Sequence, residues 1–197
     1  LLICRKYSLN DTLMTVQDAL TNFYNINGFD DAGGANKKIA YLKVAGVGVP
    51  IYNFKQRREQ IWKHDLNHIL TDYKTDWKGE TAISGWEVAT GGYGFNLVWL
   101  LIFGGFLIGV LVYPRITFRA FVRGHYSKSH VTVNTSREEL LKMNLEEVRT
   151  ILGLNREQFP TKAIHVIKFG AITIVIVGVI VASAYLFFSL ISNFILS

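Results

Sequence analysis

From Phe169 to Ile191 the chain runs 23 residues without a charged side chain, and none follows before Ser197. At about 1.5 Å per residue this is about 34 Å of helix, enough to cross a hydrocarbon core of about 30 Å. Inside lipid every backbone N–H and C=O must find a partner within the segment, so a helix is the form such a run takes. The run therefore predicts a transmembrane anchor over 163–197. Lys162, His165 and Lys168 stand at its start, and by the positive-inside tendency the preceding domain then faces the cytoplasm, or the matrix of a mitochondrion. Gly178 and Ala182 add a small-x-x-x-small packing surface.

A second apolar run, Phe95 to Tyr113, is also free of charge and ends at Pro114. By hydropathy it is a buried, a monotopic or a second membrane helix, and basic residues flank it on both sides: Lys55, Arg57, Arg58 and Lys63 before, Arg115, Arg119 and Arg123 after. The chain carries 21 basic against 15 acidic residues, a net +6. Beside two apolar blocks that charge suits an anionic membrane surface, not nucleic acid. The one cysteine, Cys4, excludes an internal disulfide framework, and Leu1 to Cys4 is too short for the apolar core of a secretory signal.

The residues that carry chemistry lie between the start of the chain and these blocks. His64 and His68 are four apart, one turn of helix, which places both imidazoles on one face within reach of one metal ion. Asp65 is beside them and Glu80 follows twelve residues after His68. In an unbroken helix Glu80 would sit about 120° round and about 18 Å along from His68, too far to share an ion. A turn near Thr75 and Asp76, either a suitable N-cap, brings Glu80 back and makes an antiparallel helix pair around the site. The zinc-protease helix has Glu directly after its first His, where it acts as general base; Asp65 is shorter, which argues against that chemistry. Glu87, two turns after Glu80, is a second partner for the site, a spare ligand or a solvent-exposed carboxylate.

The full pattern His-Asp-x-x-His, eleven residues, Glu resembles the signature of the Coq-four family, the fourth-numbered proteins of ubiquinone biosynthesis. The likeness includes Ile69, Leu70 and Thr71 after the second His, and Gly79 before Glu80. Downstream, Glu139-Leu140-Leu141, Leu145 through Arg149, and Ile151-Leu152-Gly153 are similar to the helix that closes family members. The resemblance covers Lys55 to Asn155, and departs at Asp72, where the family has Gly, in the N-terminal third and in the apolar tail. It implies an all-α fold, a divalent metal held by His64, Asp65, His68 and Glu80, and association with the membrane where the quinone is made. The ion is expected to be zinc, with iron open. The activity implied is oxidative decarboxylation at C1 of a polyprenylated ring precursor; the alternative is a non-catalytic lipid-binding scaffold or an accessory subunit of a larger membrane complex. Partners implied are a prenylated quinone or related isoprenoid lipid, membrane lipids and other proteins of quinone biosynthesis.

This gives three segments: an N-terminal region over 1–54, a helical metal-binding domain over 55–155 and the anchor. A membrane hairpin through Phe95–Tyr113 would separate His64 from the closing helix, so that run is expected to be buried in the domain or to dip into one leaflet. Leu13, Val16, Leu20 and Phe23 predict an amphipathic helix over 10–24, capped by Asn10 or Asp11. Asn25 to Asn36 is expected as loop, with Asp30 and Asp31 solvated. Lys37 to Val44 is expected as a short helix interrupted by the GVGVP that follows, and the first site helix as Lys55 to about Tyr73. GGYG, Gly91 to Gly94, lacks the preceding strand of a dinucleotide loop and predicts a hinge. Arg115, Arg119 and Arg123 form a basic stripe fit for lipid headgroups; His125 and His130 are expected in loops. Ser136 with Glu139 and Asn144 with Glu147 predict two helix starts, and Gly153 a stop.

Overall fold

The structure, a computed structural model, describes residues 14–29, 33, 35–44, 47–94, 97–133 and 135–196. The chain is helical and divides into two units, Leu1–Phe159 and Pro160–Ser197. In the first unit α1 (Val16–Asn27), α2 (Lys55–Thr71), α3 (Trp77–Thr90), α4 (Val98–Val112), α5 (Pro114–Gly124), α6 (Arg137–Lys142) and α7 (Leu145–Ile151) follow in order. The second unit is α8, Ala163–Leu196.

α1 starts one turn later than periodicity suggests. Thr15 is its N-cap, in a reciprocal box with Asp18: the Thr15 hydroxyl accepts from the Asp18 N–H at 3.1 Å and the Asp18 carboxylate accepts from the Thr15 N–H at 3.3 Å. The proposed caps Asn10 and Asp11, and the loop carboxylates Asp30 and Asp31, lie outside the described residues. The expected helix at Lys37 to Val44 is replaced by an antiparallel hairpin, β1 (Ile39–Val44) with β2 (Val47–Tyr52), registered Ile39 to Tyr52 through Val44 to Val47. Six-residue runs rich in Ile, Val and Tyr and joined by two residues favour strand pairing over one isolated turn of helix. Pro50 opposes Tyr41 there, tolerated because in a two-stranded sheet each strand has an edge free of pairing.

The core gathers Val16 and Leu20 from α1, Leu66 and Leu70 from α2, Ala82, Ile83 and Trp86 from α3, Ala120 from α5, Leu140 from α6, and Leu145 and Val148 from α7. Each large side chain taken from water contributes about 1.5–3 kcal/mol before entropy. α1 thus belongs to the same core as the site helices. The starts of α1 and α7 are stitched together by Val16 N–H to Met143 C=O and Leu145 N–H to Met14 C=O, both 3.0 Å. Both downstream starts are capped as expected, Ser136 with Glu139 reciprocally and Asn144 accepting from Glu146 and Glu147.

α3 packs against both α4 and α5, and small residues let the helices close. A Cβ added to Gly105 would lie 2.3 Å from Ser84 Oγ, and one on Gly109 would lie 2.3 Å from Thr117 Oγ1. α4 buries Val98, Ile102, Phe106 and Gly109 in that contact, and leaves Leu97, Leu100, Ile108 and Leu111 exposed. Its 15 residues extend about 22 Å, short of the hydrocarbon thickness of about 30 Å. α8 is long and apolar enough to cross a membrane over Ala163–Ser192, and its apolar side chains from Ile174 to Ile191 are largely exposed.

Candidate metal centre

The turn between α2 and α3 decides the site. α2 ends at Asp72, whose φ of 61° is left-handed, a conformation that favours glycine. Asp72 instead pairs with Arg149 at 3.0 Å. The buried Arg149 guanidinium also donates to the carbonyls of Leu70 at 3.1 Å and Ile69 at 2.5 Å, and pairs with Glu146. It thereby satisfies the C-terminal oxygens of α2 that no helical N–H can reach. Asp76 then caps α3, accepting from the Gly79 N–H at 2.7 Å. Gly79 has no room for a side chain: a Cβ would sit 1.8 Å from the Lys74 carbonyl oxygen. This tight reversal returns Glu80 to the histidines.

His64 and His68 lie with Nε2 atoms 3.1 Å apart. Glu80 Oε2 is 3.4 Å from His64 Nε2, and its Oε1 is 3.4 Å from His68 Nε2. An ion bound tetrahedrally at about 2.0–2.1 Å keeps its ligand atoms about 3.3–3.4 Å apart; the two nitrogens, each faced by a different oxygen of the Glu80 carboxylate, stand near that spacing. The outer nitrogens fix which atoms are free. His68 Nδ1 faces the Tyr73 carbonyl at 2.9 Å and must donate, as a carbonyl only accepts. His64 Nδ1 lies 3.0 Å from Glu87 Oε1 and donates to that carboxylate. Both Nε2 atoms therefore turn inward, toward each other and toward a carboxylate. A proton relieves one such contact; a divalent cation relieves all three.

The electrostatics show the same demand for positive charge. Burial disfavours charge on His64, but Glu87 and Glu80 outweigh it and hold the pKa well above 6.5. Burial likewise opposes ionisation of Glu80, yet hydrogen bonds and charge from His64 and His68 keep its carboxyl well below the usual range. The His68 side chain is 1 % exposed, His64 29 % and Glu80 38 %. One side of the cluster is closed and the other open, as a centre that admits a further ligand requires.

Of the four expected ligands the structure brings together His64, His68 and Glu80. Asp65 is outside the cluster, because adjacent helical residues diverge by about 100°. It faces the other way, hydrogen-bonded to Tyr24 and close against Gly33. Burial there raises its pKa to about 6, despite His64 and His68.

Glu87 is fully buried and not solvent-exposed. Its Oε1 accepts from Tyr93 Oη at 2.7 Å and Asn67 Nδ2 at 2.8 Å as well as from His64. Tyr93 is delivered by the GGYG turn, where Gly91, Gly92 and Gly94 all have positive φ. His130, in a 3-10 turn over His130–Thr132, reaches Asn67 Oδ1 with Nδ1 at 3.0 Å. Burial and the charge of Lys63 hold its pKa down to about 3. Asn67 lies between the two histidines in sequence and could have been suspected as a polar residue on an inward helix face; His130 carries no local signal. Arg123 leaves the basic stripe: its Nη1 donates to the Thr71 carbonyl at 2.6 Å and it sits 5.4 Å over the Tyr73 ring, while Arg115 and Arg119 remain exposed.

Comparisons of the chain with protein-family models, with curated proteins and with solved structures find no match.

Proposed function

We propose that this chain is a membrane-anchored metal-binding protein that holds, and acts on, the polar head of a prenylated ring lipid of the ubiquinone-precursor type. The observation that carries the reading is the convergence of two imidazole Nε2 atoms, 3.1 Å apart, and a carboxylate whose two oxygens each lie 3.4 Å from one of them. His64, His68 and Glu80 hold the ion, and the open side beside His64 and Glu80 admits the head group. A bound divalent ion supplies Lewis-acid polarisation of a carboxylate or carbonyl, or oxygen chemistry if it is iron. The exposed apolar face of α4 and the length of α8 both suit a protein whose substrate stays in the bilayer. The ring chemistry itself rests on the resemblance to the Coq-four family.

The test is metal analysis of protein purified in mild detergent, wild type beside His64→Ala/His68→Ala, with mass spectrometry of co-extracted lipid. One equivalent of metal in the wild type, lost in the double variant, together with a bound prenyl lipid is the expected result. Stoichiometric metal retained by the double variant overturns the site. No metal in either sample, with a firmly bound protein partner, replaces this reading with that of a scaffold or accessory subunit.

A further inference from the structure

We propose that Glu87 is a positioning residue of the metal centre, an anionic partner that fixes the tautomer and the ring plane of His64. The inference rests on the metal reading above and assigns a role to a carboxylate outside the ligand set. Two of its features need explanation. Glu87 is buried completely, with Oε2 lacking any hydrogen-bond partner among the described residues. A carboxylate taken from water in this way is costly unless a nearby positive or strongly polarised donor stabilises it. And three donors from two parts of the fold converge on the single atom Oε1: His64 from α2, Asn67 one turn further along α2, and Tyr93 from the glycine turn after α3.

The convergence makes the carboxylate immobile. With Asn67 and Tyr93 holding Oε1, the third donor direction points at His64 Nδ1, so the proton of that imidazole is placed on Nδ1 and the lone pair on Nε2. The same contact sets the ring edge-on to His68, at an interplanar angle of 86° and a centroid separation of 4.8 Å. The two ligands are therefore unequal. His68 is backed by a neutral carbonyl, that of Tyr73, whereas His64 is backed by a negative charge, which raises the basicity of its coordinating nitrogen. Asn67 is fixed in turn by His130 at its amide oxygen, so the support extends to a third layer contributed by the segment after α5.

The test uses the full chain in mild detergent with Zn²⁺ and Co²⁺ as probes. Zinc affinity is measured by chelator competition, the cobalt site by its visible absorption, and folding by the thermal midpoint of the metal-free protein. Glu87→Gln keeps an accepting oxygen and removes the charge; Glu87→Asp keeps the charge and withdraws it from His64 by about 1.5 Å, one C–C bond. Zinc affinity is expected to fall about 10-fold in the first and up to about 100-fold in the second, with an altered cobalt spectrum. Tyr93→Phe, which removes one donor while keeping the ring, is expected to weaken zinc severalfold with little change in the metal-free midpoint; it decides the matter if the Glu87 variants do not fold. Zinc affinity within threefold of wild type and an unchanged cobalt spectrum in the folded variants overturn the role of Glu87 and leave the metal centre intact. Absence of zinc and cobalt binding by the wild type itself overturns the metal centre, and the proposal with it.

Discussion

Gly79 and His130 show how single residues here are tied to places they do not advertise. With a Cβ 1.8 Å from the Lys74 carbonyl, Gly79→Ala forces the α2–α3 turn to open. It should cost at least about 2–3 kcal/mol in denaturant unfolding and shift Glu80 enough to weaken metal binding. His130 is neutral in the fold, with a pKa lowered from 6.5 to about 3. As the pH falls below 6.5 the unfolded chain takes up a proton that the folded chain refuses. The contribution of His130 to stability is therefore complete above about pH 6.5 and is lost toward pH 3 at up to about 1.4 kcal/mol per pH unit. Urea titrations of chelated protein at pH 7, 5 and 4 should show a shallower acid limb in His130→Gln than in wild type; parallel limbs would contradict the assignment.

At the scale of elements, α2 is built to be inward on two sides. Leu66 and Leu70 face the core while His64, Asn67 and His68 face α3 and its neighbours, and the helix ends on a left-handed Asp72 held by Arg149. Arg149→Met removes the donors to Ile69 and Leu70 and the ion pair with Asp72. The expected loss is about 2–4 kcal/mol, read as a drop in denaturation midpoint. Asp76→Ala, at the start of α3, should cost about 1 kcal/mol for the lost cap. Asp72, the C-cap of α2, has positive φ, where glycine is the unstrained choice, and its ion pair with Arg149 holds it there.

On the whole-molecule scale the three candidate metal ligands and the helix long and apolar enough to cross a membrane belong to different units. Zinc at 100 times its dissociation constant should stabilise the first unit by about 2.7 kcal/mol, and chelation should lower the thermal midpoint accordingly. Fusion of residues 160–197 to a soluble reporter should carry it into the membrane fraction, resistant to alkaline carbonate, because α8 supplies the necessary apolar length.

The sequence by itself determined the helical class, the long C-terminal apolar helix, a helix start at Thr75 or Asp76, the caps at Ser136 and Asn144, and the nearness of His64 to His68, because each of these depends on interactions a few residues apart. Strand pairing between Ile39–Val44 and Val47–Tyr52 was missed, as a short apolar run leaves helix and strand nearly balanced and pairing settles the choice. The exclusion of Asp65, the turning of Arg123 to the end of α2, and the burial of Glu87 with Tyr93, Asn67 and His130 were decided only by tertiary structure. Those side chains are placed by contacts across 20 to 63 positions of sequence, and the cost of leaving a buried polar group unsatisfied, which selects them, exists only once the core has closed.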